Sequence, residues 1–564
     1  FAITNGAVAS MRVATSADGA KAGKAFTTQP SIELLDADGS VVLNSTAKVV
    51  ISATGYSTVG TVEKSVQNGV ANFAGLGAGI AGVEGTVALK YSLYSGSTDT
   101  GISISENVAL GNGDAFKLYV PVAGQPQSSV VAGANLTSVN VLVQDEWGNL
   151  VDDQTVSIVP SLVVASSGAA VSGSAKTASS VSNGSLTLTN LNWPTAGAFK
   201  ILYTSATLPA GTDTTTTSAF SIVAGSPAKL AWYVDAVSTV VNRSTFATAP
   251  VLVVQDANNN RVTTDNTTSA TITVNASGSG AVTSGASVGL TKTAVGGLIT
   301  FSTLSPAGKA TTGYTLTATS GVLTGPGSSS SFAITAGTAA SISISPTSIS
   351  AQAGVNLTTA TTIRVLDTDG NLVDADNATA TASVASPLTM TGLSGGATQA
   401  EISLNNGTAT FTSGSFGIAG AAGTQKITYQ VTYNGNNYYA DQTVTLSAGL
   451  PARIAVTTQP TTTVARSPLN AVAAKVVDAY GNPVLTSTAS IKAELAFNAS
   501  TPSVISLVSN VTATTVAVRS NTATSTFENA DVLTYNSAGT YKIKFSYVPA
   551  SVSDTAVVTA ALSN

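Results

Sequence analysis

The chain has 564 residues, 23 Lys and Arg against 28 Asp and Glu, and neither histidine nor cysteine. Without those two residues a Ser-His-Asp triad, a cysteine nucleophile, a disulfide, an iron–sulfur cluster and a thiolate or imidazole zinc site are all excluded. A net charge of −5 with no basic run argues against nucleic acid as a partner, because phosphate neutralisation needs clustered Lys and Arg. Charged residues make up 9% and hydrophobic ones 43%, and the mean hydropathy of +0.30 argues against disorder. The 54 residues from Ala310 to Ile363 carry no charge, yet Pro326, Pro346 and many Ser, Thr and Gly interrupt them, so no transmembrane segment is expected. With no initiator Met and no signal-peptide apolar run, the chain reads as a processed or partial product.

Taken in order, the chain opens on Phe1-Ala2-Ile3-Thr4-Asn5-Gly6, which matches three later segments. Residues 1–6 therefore read as the last strand of a preceding repeat. Either domains ahead of it have been removed, or it is a free strand that completes a neighbouring molecule by β-strand addition. The first repeat, 7–113, carries the run Glu33-Leu34-Leu35 into Asp36-Ala37-Asp38-Gly39, then Asn68-Gly69 ahead of an apolar/polar alternation. Asn-Gly in that setting predicts a tight hairpin, because both residues accept positive φ. In the second repeat, 114–225, Val141-Leu142-Val143-Gln144 enters the turn Asp145-Glu146-Trp147-Gly148-Asn149. Asn183-Gly184, the strand Gly197–Tyr203 and the closing Phe220-Ser221-Ile222-Val223-Ala224-Gly225 follow.

The third repeat, 226–337, places Asp256-Ala257-Asn258-Asn259-Asn260 at the same turn, and asparagine, which tolerates left-handed φ, replaces the turn glycine. It closes on Phe332-Ala333-Ile334-Thr335-Ala336-Gly337. The fourth, 338–449, has Asp367-Thr368-Asp369-Gly370-Asn371, the hairpin Asn406-Gly407 and the strand Gly423–Tyr429. The fifth, 450–564, has Asp478-Ala479-Tyr480-Gly481-Asn482, a looser hairpin over Asn521–Phe527, the strand Gly539–Phe545 and a closing strand Thr555–Ala560. The five turn aspartates are 109, 111, 111 and 111 residues apart, and Gly113, Gly225, Gly337 and Gly449 are 112 apart.

About 110 residues with some seven short alternating strands and no helical period predict an Ig-like β-sandwich, so the fold class is all-β: a tandem array of five such domains. The short Gly/Ala/Pro joints predict semi-rigid neighbours. The strand–turn V-x-V-x-D-x-x-G-N-x-V and the later A-G-x-Y-K-I-x-F strand resemble bacterial Ig-like repeats of the invasin/intimin-like and Big-type families, which stand in tandem on bacterial surfaces. The resemblance covers essentially all five repeats. It implies an extracellular, cell-surface structural protein rather than an enzyme. Few charges and many small residues suit contact with copies of itself, since desolvating charge is costly. A self-assembling surface layer or extracellular filament is therefore the expected function, with an adhesin stalk or a phage fibre or decoration protein as the alternatives. Cell-surface glycan or the cell envelope is a further possible partner.

No catalytic residue is expected. Asp36-Ala37-Asp38-Gly39 and Asp367-Thr368-Asp369-Gly370 read as the opening of a calcium loop, D-x-D-G, but the bidentate Glu and flanking helices of an EF-hand are absent. Two readings remain open. In one, each aspartate closes an Asx-type turn by accepting backbone N–H groups. In the other, Asp36, Asp38, Asp145, Asp367 and Asp369 hold calcium at the joints, with Glu146, Asp152, Asp153, Asp374 and Asp376 nearby in sequence. Trp147, Trp193, Trp232, Tyr438 and Tyr439 could form a carbohydrate-stacking site, but they fall at different repeat positions, which favours core or inter-domain packing.

Overall fold

A computed structural model of the chain describes residues 6–276, 289–464, 467, 472–485, 490–498, 514–517, 524–527, 541–548 and 561–562. The sequence segments Phe1–Asn5, Asn521–Ala523, Gly539–Thr540 and Thr555–Ala560 lie outside them. Every regular element described is a β-strand, apart from one turn of 3-10 helix at Val122–Gly124. β-Branched residues that lose freedom in helices and fit a pleated surface account for this.

The fourth repeat shows the plan most completely. One sheet has three antiparallel strands, Ala339–Ser345, Thr361–Asp367 and Thr408–Phe411. The other has five, in the order Ser348–Gln352, Asn436–Ser447, Gly423–Tyr433, Thr379–Ser383 and Ala400–Ser403. The chain changes sheets after its first strand, so Ser348–Gln352 runs parallel to Thr443–Ser447 while all other pairs in the sheet are antiparallel. The third repeat repeats this arrangement, with Thr239–Val241 parallel to Ala333–Thr335, and the second does so with Ser129–Val131 parallel to Ser221–Val223. A further small sheet stands beside the two main ones in the first repeat, formed by Lys24–Ala25, Gly79–Ala81 and Ser57–Val59, and in the fourth, formed by Thr389–Thr391 and Gly417–Ala419.

Alternation puts one face of most strands inside. In Thr361–Asp367 the buried residues are Thr361, Ile363, Val365 and Asp367. Ile363 and Val365 share one buried cluster with Ala380, Tyr429, Val431 and Val444 of the facing sheet. Among the described residues the buried apolar side chains fall into five clusters, from Met11–Leu110, Leu118–Ile222, Leu230–Ile334, Ile342–Leu446 and Ile454–Phe545. The hairpin turns take the conformations their residues allow: Asn68 and Gly69 have φ of 49° and 76°, Asn406 and Gly407 45° and 68°, and Asn259 of the all-asparagine turn 71°. The one-for-one replacement of glycine by asparagine in the third repeat thus leaves the turn intact.

Each of the first four clusters holds one fully buried tyrosine: Tyr91, Tyr203, Tyr314 and Tyr429. Burial pushes the Tyr429 phenol up to about 12, and its hydroxyl donates to Gln442 Oε1 at 2.9 Å. The Tyr314 hydroxyl donates to the Lys309 carbonyl at 2.8 Å, whereas that of Tyr203 has no partner among the described residues. A buried hydroxyl without a partner costs about 1–3 kcal/mol of desolvation. Tyr203→Phe is therefore expected to raise the calorimetric transition of the second repeat, and Tyr429→Phe to lower that of the fourth by about 1 kcal/mol. Equal losses in the two variants would contradict this.

Candidate functional site: the repeat joints

Asp145, Asp256, Asp367 and Asp478 sit where one sandwich meets the next, and each carboxylate is shared between two tasks. The first is local. Asp145 Oδ1 accepts the N–H groups of Trp147 and Asn149 at 3.0 and 2.8 Å. Asp256, Asp367 and Asp478 accept the N–H groups two and four residues on in the same way, and Asp36 accepts those of Asp38 and Ser40. These are Asx-type turns closing the hairpin. The second task reaches the joint. Oδ2 accepts the N–H of the joint glycine: Gly113 to Asp145 at 2.8 Å, Gly225 to Asp256 at 2.8 Å, Gly337 to Asp367 at 2.9 Å and Gly449 to Asp478 at 2.7 Å. Gly6 to Asp36 is longer, at 3.3 Å.

The residue four past the aspartate completes a clasp. Asn149, Asn260, Asn371 and Asn482 each donate one amide hydrogen to Oδ2 of the aspartate, at 2.7–2.9 Å. The second hydrogen goes to a backbone carbonyl of the preceding repeat: Gly82, Pro194, Gly308 and Gly420, also at 2.7–2.9 Å. The amide oxygen accepts the N–H two residues beyond that carbonyl, from Glu84, Ala196, Ala310 and Ala422. The side chain thereby imitates one rung of a β-ladder across the joint. Only a primary amide offers two donors and an acceptor in one plane at this reach, which explains asparagine at all four positions. The first repeat has Ser40 there, exposed to solvent.

Burial and hydrogen bonding oppose each other at these carboxylates. At Asp256 and Asp367 desolvation pushes the pKa up, and the donors from the asparagine, the joint glycine and the turn outweigh it, leaving both below the ordinary range. Asp36 is also lowered, chiefly by the Ser40 N–H.

The structure separates the five sequence candidates for calcium. Asp36, Asp145 and Asp367 are buried turn residues whose two oxygens face N–H donors. Asp369 lies across the third joint, paired with Arg243 through Nε–Oδ2 at 2.7 Å and Nη2–Oδ1 at 2.9 Å. Asp38 is exposed. Among the described residues no three acidic side chains converge. At Asp36, Asp145 and Asp367 the carboxylate oxygens accept from N–H donors, and at Asp369 from Arg243 and Asn242. Nearby, Asp153 accepts Asn112 Nδ2 at 2.9 Å and pairs with Lys21 of the first repeat, while Asp376 caps the Asn406 N–H at 2.5 Å.

The aromatic candidates do not gather. Trp147 packs onto the first cluster, Trp193 is buried with Nε1 on the Ser174 carbonyl, and Trp232 Nε1 reaches Gly327. The Tyr438 hydroxyl binds the Ala339 carbonyl, and Tyr439 is exposed.

No protein-family model matches the sequence, and no curated protein matches it. Solved structures with similar runs of strands include Escherichia coli alpha-2-macroglobulin activated by porcine elastase (12% identity, TM-score 0.20). That match covers 98% of this chain and 52% of the other, so the chain spans about half the length of that protein. Invasin, a bacterial integrin-binding protein, matches at 11% identity and TM-score 0.24 over 81% of this chain and 82% of its own. Domains 4–9 of the surface layer protein SbsC match at 13% and 0.19 over 98% and 81%. With TM-scores this low the fold assignment rests on the strand pairing itself.

Two outcomes test the clasp. Asn371→Ala removes three hydrogen bonds at a mostly buried joint and is expected to cost about 2–4 kcal/mol at roughly 1 kcal/mol each. Asn371→Asp should cost more, since it sets a carboxylate against Asp367 and the Gly308 carbonyl; both are read by calorimetry. The lowered carboxyls stabilise the fold above their unfolded pKa of about 3.9 and lose that contribution as pH falls through the folded values. The melting temperature should therefore be flat from pH 5 to 8 and fall below about pH 4. A midpoint between pH 5 and 8 would contradict this.

Proposed function

We propose that the chain is a structural protein of the bacterial cell surface: a stiffened array of Ig-like sandwiches, exported and non-catalytic, that associates with copies of itself into a surface layer or extracellular filament. The observation that carries the structural part is the clasp. The same Asp–Asn pair recurs at the four joints from Gly113, Gly225, Gly337 and Gly449, so the recurring polar chemistry of this chain serves to hold neighbours. A site for catalysis gathers its groups once in a cleft; here the repeated carboxylates are spent on N–H donors.

Self-association is supported by composition. With 9% charged residues, covering the surface against another copy desolvates few ions. Long strands such as Thr98–Leu110 and Asn436–Ser447 carry mostly Ser, Thr, Asn and small apolar side chains on their exposed faces, a surface that buries against its like at low cost. The same joints would equally serve an adhesin stalk, where stiffness projects a binding tip and lateral contact plays no part.

Light scattering and electron microscopy of the purified chain at increasing concentration, with calcium and with EDTA, separate the two. Ordered sheets or fibres are expected, equally with either addition. Isolated rods at every concentration would support the stalk and overturn assembly, and assembly that requires calcium would assign the turn aspartates a ligand role.

A further inference from the structure

A second pair of positions meets at each joint, beside the clasp. In the preceding repeat it is a residue with left-handed backbone: Gly23 (φ 73°), Gly133 (80°), Arg243 (61°) and Gly354 (77°). These are spaced by 110, 110 and 111 residues, and each sits in a tight turn closed by the next residue's N–H. In the following repeat it is the residue two past the turn aspartate: Trp147, Asn258, Asp369 and Tyr480.

The two sides match in each case. A Cβ on Gly23 would fall 2.2 Å from the Trp147 ring, and one on Gly354 2.8 Å from the Tyr480 hydroxyl. At Gly133 the Asn258 amide would lie 3.1 Å away, and that amide donates to the Ala132 carbonyl. Where arginine replaces glycine, an aspartate replaces the bulky or amide residue opposite. Asp369 takes both guanidinium bonds and a further one from Asn242 Nδ2 at 2.7 Å, and its side chain is only 4% exposed. Asn242-Arg243 stands where the first, second and fourth repeats have Ala-Gly, and both residues now serve Asp369.

We propose that these two positions form a pairing code that decides which repeat ends fit each other. A glycine end accepts a large or amide side chain and leaves no room for a charged pair. The carboxylate demands the arginine end, because the Asp369 side chain is buried and would lose its guanidinium partner against a glycine. The rule does not depend on the surface-assembly reading. It gives the chain a means of keeping similar sandwiches in order, since misdocking of neighbours is the characteristic failure of repeat proteins.

Exchange of the code within the full chain tests it, with cleavage by a nonspecific protease at the joint peptides as the readout. Gly133→Arg and Asn258→Asp, made singly, are expected to raise cleavage near Gly225 about tenfold; together they recreate the Arg–Asp pair and should return it to within about twofold of the parent. The reverse exchange, Arg243→Gly with Asp369→Asn, should behave alike near Gly337, and covers the case in which a left-handed arginine at 133 disturbs its own repeat. Circular dichroism confirms that the sandwiches stay folded. Raising salt from low to molar should loosen the parent's third joint and leave its second unchanged. Double variants that cleave as fast as the two singles combined, at both joints, would overturn the proposal, as would equal salt dependence of the two joints.

Discussion

A carboxylate at the seam between two sandwiches is an expensive group to bury, and the architecture depends on how it is satisfied. Its lone pairs must be met by donors, or it will protonate or draw in water. The turn supplies two N–H groups, the joint glycine a third, and the asparagine four residues on a fourth. Because one of these comes from the connecting peptide and the asparagine's remaining hydrogen goes to the neighbour, satisfying one ion fixes the path of the chain and the orientation of the next domain together. Glycine at the joint follows from the same constraint: at Gly113 and Gly449 an added Cβ would approach a preceding-repeat carbonyl at 2.6 and 2.5 Å.

Within each sandwich the demands are ordinary. The two main sheets bury alternate residues of most strands against one another, with a tyrosine or phenylalanine among the buried residues and no covalent tie between sheets. Absence of cysteine is affordable because about 110 residues can bury enough apolar surface. Absence of histidine leaves the joints to carboxylates and amides, whose hydrogen bonding does not change near neutral pH.

Much of this was legible in the sequence. Alternation and Asn-Gly turns gave the strands and hairpins, and the regular spacing of Asp36, Asp145, Asp256, Asp367 and Asp478 gave the period. The role of those aspartates was open, because D-x-D-G suits both a turn and a cation, and the N–H donors that complete the turn reading come from positions the local pattern does not show. The asparagines at 149, 260, 371 and 482 were visible as part of the turn, yet turn propensity accounts for asparagine there without any reference to a neighbour. Their constancy even where the turn glycine is lost, at Asn260, was the available signal. The residues facing Trp147, Asn258, Asp369 and Tyr480 were out of reach, since pairing across a joint joins positions more than a hundred residues apart that share no local pattern.

The clasp also sets how such an array would carry load. Pulling the ends apart draws at each joint, in addition to paired positions such as Arg243 and Asp369, on the covalent peptide through the joint glycine and on the asparagine rung beside it. Both converge on one aspartate, which is anchored in a hairpin whose strands lie within the core. Tension therefore enters each sandwich through the base of that hairpin, and bending must shear the asparagine rung before the peptide hinge is free. The array is stiff up to the strength of a few hydrogen bonds and flexible beyond it, a fuse that yields at the joints while the sandwiches stay folded.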